Sequence, residues 1–349
     1  ECFIGFSAAT VMSVSFSGEL AYEVHVPNSS LYAAYLSLSE AGKEYGMKLF
    51  GSRAVESMRM EKGFLVWKSD LLTEFDPFET GLDRFVNLKK NNFTKVVLGL
   101  SGGIDSAVTL ALALECVGAE NVKAVMLATK FTSQISLDAA KQLAQILKVE
   151  YINIDIQPNV DLQLETLQAH GMADPSELVK QNIQARIRAN ILMSIANQDG
   201  SLLLTTGNKS ELAMGYTTLY GDMAGGFNPI KDIFKTQVYC LARYINKEHR
   251  LIPQIIIDRE PSAELSLNQL DSDSLPDYAS LDKILNLYMQ DKLAAEQIVA
   301  QGFDSLEVKT IINRLHANQH KRYQAALGVR VSNSSFDKDW RYPITSAYT

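Results

Sequence analysis

From Lys95 onward the chain repeats one pattern: a short apolar run, then a stretch with the spacing of an amphipathic helix. The runs are "KVVLGL", "VKAVML", "YINIDI" and "SLLLTT". Runs this short and this evenly apolar fit strands buried on both faces, and the helical stretches between them are the crossovers that parallel strands require. The pattern predicts an α/β fold, a doubly wound parallel sheet with helices on both faces. The region from about Leu281 to Tyr323 is helical in pattern and is expected to cap one end.

Residues 1–90 have another rhythm. "SVSFSGELAYEVHVP" alternates like a strand with a turn at Ser17-Gly18. "SSLYAAYLSLSEAGKEYG" has the spacing of an amphipathic helix ending at a glycine. "GSRAVESMRMEKGF" reads as a second helix, and "DPFETGLDRFVNLKK" as loop and strand. This predicts a small N-terminal α+β fragment over 1–90 and a larger domain over 91–349. Two domains also suit a length of 349 residues. The junction "LKKNNFTKVV" has no Gly/Ser/Pro linker.

With 46% hydrophobic and 21% charged residues, the chain can bury a sizeable core. A net charge of −7 argues against nucleic acid held on a basic face. It leaves room for an anionic small ligand in a locally positive pocket. Cys2, Cys116 and Cys240 lie far apart and form no CxxC pair, so a reducing compartment is expected. The start, "ECFIGFSAAT", has no basic region and no Met, and no apolar run reaches the roughly 18 residues of a membrane span. These features predict a soluble, cytoplasmic chain without a membrane segment, whose first residue is not the natural start.

The first parallel-strand run leads into "SGGIDS", followed at once by a helical pattern. In a parallel sheet, ligands sit beyond the carboxyl ends of the strands. Gly102 and Gly103 allow close backbone approach. The helix start offers unpaired N–H groups to an anion. Ser101 and Ser106 can donate to phosphate oxygens, and Asp105 suits Mg2+ bridging phosphates. No Lys follows the glycines, so this is not a Walker A loop. A tight strand–helix turn with Asp105 and Ser106 as caps is the bland alternative.

A second strand–helix unit, "LLLTTGNKSELAMGY", places Glu211 on the same sheet edge, where it can complete a metal pair with Asp105 or serve as a first-turn helix acid. Thr205 and Thr206 end that strand and could meet a nucleotide. "YGDMAGGFNPIKDIFKTQVY" carries Asp222, Lys231 and Lys235. Its length and glycines predict a mobile lid. "NIQARIRANILM" sets Asn182 and Arg186 on one helix face, with Arg186 and Arg188 either solvated or facing a ligand.

These segments carry a resemblance. The "SGGIDS" loop resembles that of the ATP pyrophosphatases, which cleave ATP to AMP and pyrophosphate. "KFTSQISLDAAKQLA", "NIQARIRANILM", "LLLTTGNKSELAMGYTTLYGDMAGGFNPIKD", "PSAEL" and "KRYQAALGVRVSNSSFDKDWRYPI" look like the synthetase part of glutamine-dependent NAD synthetases, from Asn92 to about Ile344. The resemblance implies an adenine nucleotide alpha-hydrolase-like, Rossmann-like fold. It implies amidation of deamido-NAD with ammonia through an adenylate, using ATP and Mg2+. Gly99, Leu100, Ser101, Gly102, Gly103, Ile104, Asp105 and Ser106 would bind ATP, with Thr206, Lys235 and Ser262. Asp105 and Lys235 would be catalytic, and Asp105 and Glu211 would hold the metal. Asn182, Arg186, Glu211, Tyr216, Tyr220, Asp222 and Lys321 would surround deamido-NAD. A homodimer through the synthetase domain is implied, with the helix after Ser101 and the stretch from Ile183 to Ile195 as candidate contacts. Phe234 and Leu327 stand where the family usually has proline, which is expected to loosen two loops. The amidase domain of the glutamine-dependent members does not match any part of the sequence, so free ammonia is the expected nitrogen source.

Residues 1–90 resemble a different family, the glycine-cleavage T-proteins, through "SFSGELAYEVHVP", "ESMRMEKGFLVWKSDL" and "DPFETGLDRFVNLKK". The nearest likeness is to the C-terminal folate-binding regions of dimethylglycine and sarcosine dehydrogenases, and only the later part of that domain is matched. This implies a folate-facing role for Glu19 and Arg59. A remnant that binds nothing is the alternative.

Overall fold

In the computed structural model, residues 2–15, 20–62, 93–267, 269–336, 339–340 and 342–345 are described. The chain divides into two compact units, Glu1–Asn92 and Phe93–Thr349.

In the first unit, strands β1 (Cys2–Ile4), β2 (Ser7–Ser13) and β3 (Tyr22–His25) form an antiparallel sheet in that order. Of the alternating stretch from Ser13 to Pro27, the described strand residues are Ser13 at the end of β2 and the whole of β3; the strand that pairs with β3 starts earlier than expected, with Met12 opposite Glu23. Its turn at Ser17-Gly18 lies outside the described residues. Helix α1 (Leu31–Gly42) runs on through a 3₁₀ turn to Gly46, whose left-handed φ of 68° ends it. Helix α2 (Ser52–Glu61) follows. The strand expected in "DPFETGLDRFVNLKK" lies outside the described residues.

In the second unit, six parallel strands stand in the order β6-β5-β4-β7-β8-β9. They are β4 (Val96–Gly99), β5 (Val122–Ala128), β6 (Glu150–Asp155), β7 (Leu202–Leu204), β8 (Phe227–Asn228) and β9 (Leu327–Gly328). The first four coincide with the four apolar runs. The crossovers carry α3 (Ile104–Val117), α4 (Gln134–Leu147), α5 (Gln157–Ala169), α6 (Glu177–Asp199), α7 (Lys209–Met214), α8 (Lys235–His249) and α9 (Gln254–Asp258). Two apolar cores flank the sheet: Leu98, Leu110 and Leu143 belong to one, Val97, Val125 and Ile183 to the other. Each fully buried leucine contributes roughly 1.5–3 kcal/mol. The chain enters at β4, steps outward to β5 and β6, then returns to β7 on the other side of β4. That reversal opens a crevice beyond the carboxyl ends of β4 and β7.

The expected helical cap is present as α10 (Tyr278–Met289), α11 (Ala295–Val299), α12 (Ser305–Ala317) and α13 (Gln319–Arg322), packed around Leu281, Ile311 and Leu315. Two expectations fail. The glycine-rich stretch after Tyr220 is a packed crossover, not a lid: it contains β8, and Ile230, Lys231 and Asp232 are buried. A Cβ on Gly225 would meet the Thr205 side chain, and one on Gly226 that of Leu202. Those glycines serve close backbone approach, not mobility. Nor does Phe234 loosen its loop. It is buried below the Lys209 ammonium, 5.0 Å from ring centre to Nζ, at the start of α8.

Lys209 and Asp232 form a buried ion pair at 2.6 Å. Lys209 Nζ also donates to Ser332 Oγ at 2.7 Å and to the Ser334 carbonyl at 3.0 Å. The second Asp232 oxygen accepts from the backbone N–H groups of Val331 and Ser332. This network ties the C-terminal "VRVSNSS" segment to the crossover before α8.

Among the described residues, no helix is long and apolar enough to cross a membrane.

Candidate active site

Three strand–helix crossovers deliver one charged side chain each to the crevice. Asp105 comes from the first turn of α3 after β4, Glu211 from α7 after β7, and Lys235 from the first residue of α8 after β8. Lys235 Nζ lies 2.6 Å from Asp105 Oδ2 and 3.2 Å from Glu211 Oε1. Asn208 joins them. Its amide donates to Asp105 Oδ1 at 2.9 Å, and its Oδ1 accepts from the Glu211 N–H at 3.0 Å in a capping box. Ser210 and Asp282 set the two helix starts. Ser210 Oγ donates to Asp282 and accepts from the Lys235 N–H at 2.9 Å, while the other Asp282 oxygen accepts from the Thr236 N–H at 2.8 Å.

Burial pushes the Glu211 pKa up. The Lys235 charge pulls it down, while Asp105 and Asp271 add to the rise. Burial also works against the Lys235 ammonium, but Asp105 and Glu211 outweigh it and hold its pKa above the ordinary lysine value. The lysine therefore stays charged amid an excess of carboxylate. Asp271 is buried, its pKa raised by desolvation, and it accepts from the Tyr278 hydroxyl at 2.9 Å. The Tyr278 ring faces Lys235 Nζ at 5.3 Å. Among the described residues, no group of three His, Cys, Asp or Glu side chains is arranged to hold a metal ion alone. Asp105 and Glu211 do converge on one point, now taken by the ammonium. They match the one or two carboxylates that Mg2+ takes from a protein when substrate phosphates complete its shell.

The cluster opens into a cavity of about 640 Å³, within the range of ligand pockets. The loop from Gly99 to Asp105 lines it, as do Thr206, Glu211, Lys235, Ser262, Asn182, Arg186, Tyr216, Asp222 and Lys321. Gly102 adopts φ +80°, and a Cβ there would collide with the Ser136 carbonyl. Only glycine fits that corner of the loop.

Two expected contacts are not brought to the cavity. Ser106 is buried beneath the loop, donating to the Gly103 carbonyl at 3.0 Å and accepting from the Ser101 N–H at 3.3 Å. It shapes the loop and does not line the cavity. Tyr220 is 69% exposed at a left-handed φ of 63° and is absent from the lining. Lys321 lines the cavity with its ammonium tied to the carbonyls of Gly215 and Thr217 at 2.7 and 2.8 Å. Asp222 accepts from the Thr218 N–H at 2.7 Å, and enclosure in the pocket lifts its pKa to about 6, although its side chain is open to the cavity.

Asn208, Asp271, Tyr278 and Asp282 escaped the sequence reading, as did Arg259 and Glu264 in the lining. The polar spacing Asn208-to-Glu211 was a signal for the capping box. The others come together only through the fold. Arg188 is not a solvated residue: it donates to the Leu127 carbonyl at 3.1 Å, and burial lowers its pKa to about 10.

In the first unit, Arg59 is 4% exposed and paired with Glu56 on its own helix. Glu19 lies outside the described residues.

A family model described as NAD synthase matches residues 81–325, and one described as GCVT N-terminal domain matches residues 1–90. A glutamine-dependent NAD(+) synthetase of Thermotoga maritima is 45% identical over 271 residues, which cover 77% of this chain and 47% of that protein. The chain spans about half the length of the curated relatives it matches. Of solved structures, an NMN synthetase from Francisella tularensis is 27% identical with a TM-score of 0.56, covering 74% of this chain and 99% of that one. An NH3-dependent NAD synthetase from Campylobacter jejuni is 29% identical with a TM-score of 0.54, covering 67% and 89%.

Proposed function

The chain belongs to the NAD synthase family, and we propose on that basis that its second unit amidates deamido-NAD with ammonia at the expense of ATP, releasing AMP and pyrophosphate. The observation that carries this reading is the convergence of Asp105 and Glu211 on the Lys235 ammonium, at 2.6 and 3.2 Å, beside a glycine loop at a parallel-sheet switch point.

The nicotinate carboxylate is a poor acyl donor because oxide leaves badly. Its oxygen attacks the α-phosphate of ATP, the bond to pyrophosphate breaks, and an acyl adenylate forms. Ammonia then attacks the acyl carbon and AMP leaves with the bonding electrons. The chain holds the two reactants in line and stabilises charge on the phosphates. Backbone N–H groups at the start of α3 and the Lys235 ammonium are its fixed positive groups there. Asp105 and Glu211 would hold Mg2+, which when bound neutralises phosphate charge.

Free ammonia as the nitrogen donor draws support from the NH3-dependent Campylobacter relative. The Francisella relative, an NMN synthetase covered over nearly its full length, favours one competing reading, in which a nicotinate mononucleotide is the acceptor. Offering each acceptor separately with ATP, Mg2+ and ammonium tests the choice. Faster amide formation on the dinucleotide is expected, and preference for the mononucleotide would replace it.

Two further proposals concern setting. The enzyme acts as a homodimer in the cytoplasm. The helix after Ser101 is enclosed by its own core over Ile104 to Leu110, so α6, which exposes Leu178 and Met193, is the better contact. Light scattering at micromolar concentration tests this, and a fully active monomer would contradict it. For residues 1–90, the sparse apolar burial among the described residues favours a remnant that binds folate weakly or not at all.

A further inference from the structure

We infer that Glu264 is a positioning residue that tethers the stretch 261–267 to the start of α4 beside the glycine loop and so sets affinity for ATP. The inference rests on the reading of this cavity as an ATP site.

Glu264 has a left-handed φ of 48°, unusual for a residue with a Cβ. Its carboxylate explains why that backbone is held. One oxygen accepts from Ser136 Oγ at 2.9 Å and from Arg259 Nη2 at 2.5 Å. The other accepts from the Ser133 N–H at 3.3 Å. Ser133 is the N-cap of the fourteen-residue α4, so the carboxylate also meets the positive end of that helix. Arg259 closes the ring by donating to Ser136 Oγ.

The partners lie on both sides of the cavity wall. Ser136 is the residue whose carbonyl forbids a Cβ at Gly102 in the phosphate loop. Glu264 belongs to the loop that carries Ser262. That loop is itself braced: Ser262 donates to the Gln269 carbonyl, the Leu265 N–H to Gln269 Oε1 at 2.9 Å, and the Asp271 N–H to the Pro261 carbonyl at 3.1 Å. Gln184 of α6, 1% exposed, donates to the Leu265 carbonyl at 2.9 Å. A compact loop held at its far side by α6 thus has one charged tether to α4 and, through Ser136, to the phosphate loop. Cutting the tether frees the loop while the core stays intact. The phosphate loop and Ser262 then no longer share a fixed spacing, and the loss falls on the ligand that spans them.

The test measures ATP binding by calorimetry without turnover, and KM and kcat by product assay, in Glu264→Ala, Glu264→Gln and the unchanged chain. Glu264→Ala is expected to raise Kd and KM for ATP about tenfold, the size of a lost charge-assisted hydrogen bond. The effect on kcat and on KM for the dinucleotide should be smaller. Glu264→Gln keeps an acceptor for Ser133 or Ser136 without the ion pair and should fall between. An unchanged Kd in a folded Glu264→Ala protein overturns the latch, as does an equal rise in both KM values. If Glu264→Ala does not fold, Glu264→Gln decides: a weaker Kd supports the latch and an unchanged one overturns it. A chain that binds ATP with the expected variant series but forms no NAD overturns the function and leaves the latch standing. An unchanged chain that binds no ATP overturns both.

Discussion

The second unit buries Leu98, Leu110 and Leu143 completely, whereas the first, among its described residues, buries only Ala9 and Ala34 of its apolar side chains and leaves Phe3, Tyr22, Tyr32 and Phe50 largely in water. Eighteen large apolar side chains are exposed in each unit among the described residues, although the second is much the larger. Polar groups differ in the same way. In the second unit the buried cations Lys209 and Lys235 each meet a carboxylate and further partners at short range. In the first, ion pairs such as Lys43–Glu40 and His25–Glu23 lie in water, where such pairs contribute about 0–1 kcal/mol. One unit has the core and the satisfied charges that hold the Asp105, Glu211 and Lys235 cluster in place. The other, among its described residues, has secondary structure with little buried apolar surface under it.

The contrast breaks most sharply at the reactive cluster. Asp105→Asn is expected to lower turnover by about 10²–10³ or more while the melting curve stays close to that of the unchanged chain. Arg59→Ala in the first unit should leave turnover unaltered. A slow Arg59→Ala protein, or an active Asp105→Asn protein, would break the comparison. Stability comes next. Lys209→Met strands a buried Asp232 and should cost about 3–5 kcal/mol in denaturant unfolding. Tyr32→Ser, at an exposed site, should change it by less than about 0.5 kcal/mol. Equal losses would show that the first unit is better packed than its exposure implies.

The smallest effect sharpens the account of the pocket. Asp222 has its folded pKa raised to about 6 by enclosure in the pocket, above its unfolded value. The folded state therefore takes up the proton first, and this group's contribution to stability falls as pH rises from about 4 to 6. Asp222→Asn should melt slightly higher than the unchanged chain at pH 7 and match it only below about pH 4. A lower melting point at pH 7 would mean that the charged form is stabilised by Lys321 more than enclosure penalises it.

Much of this was legible in the sequence because it is local. Strands β4 to β7 follow from continuous apolar runs, and the glycine loop after β4 follows from two glycines between a strand and a helix. Asp105 and Glu211 could be paired because both follow parallel strands that end on one edge. What local pattern could not supply is which of several meanings a residue carries. Gly225 and Gly226 read as freedom, yet they exist because Thr205 and Leu202 press against them. Ser106 reads as a phosphate donor, yet its hydroxyl is spent inside the loop. Glu264 and Ser136 are 128 residues apart, and Asp105 and Lys235 are 130. Spacing along the chain holds no trace of such meetings.

The most direct test is to assay residues 91–349 alone beside the full chain, with ATP, Mg2+, deamido-NAD and ammonium, measuring NAD and AMP together. The account predicts NAD and AMP in equal amounts, at rates within about twofold of the full chain. ADP as the nucleotide product, or activity that collapses without residues 1–90, would contradict it.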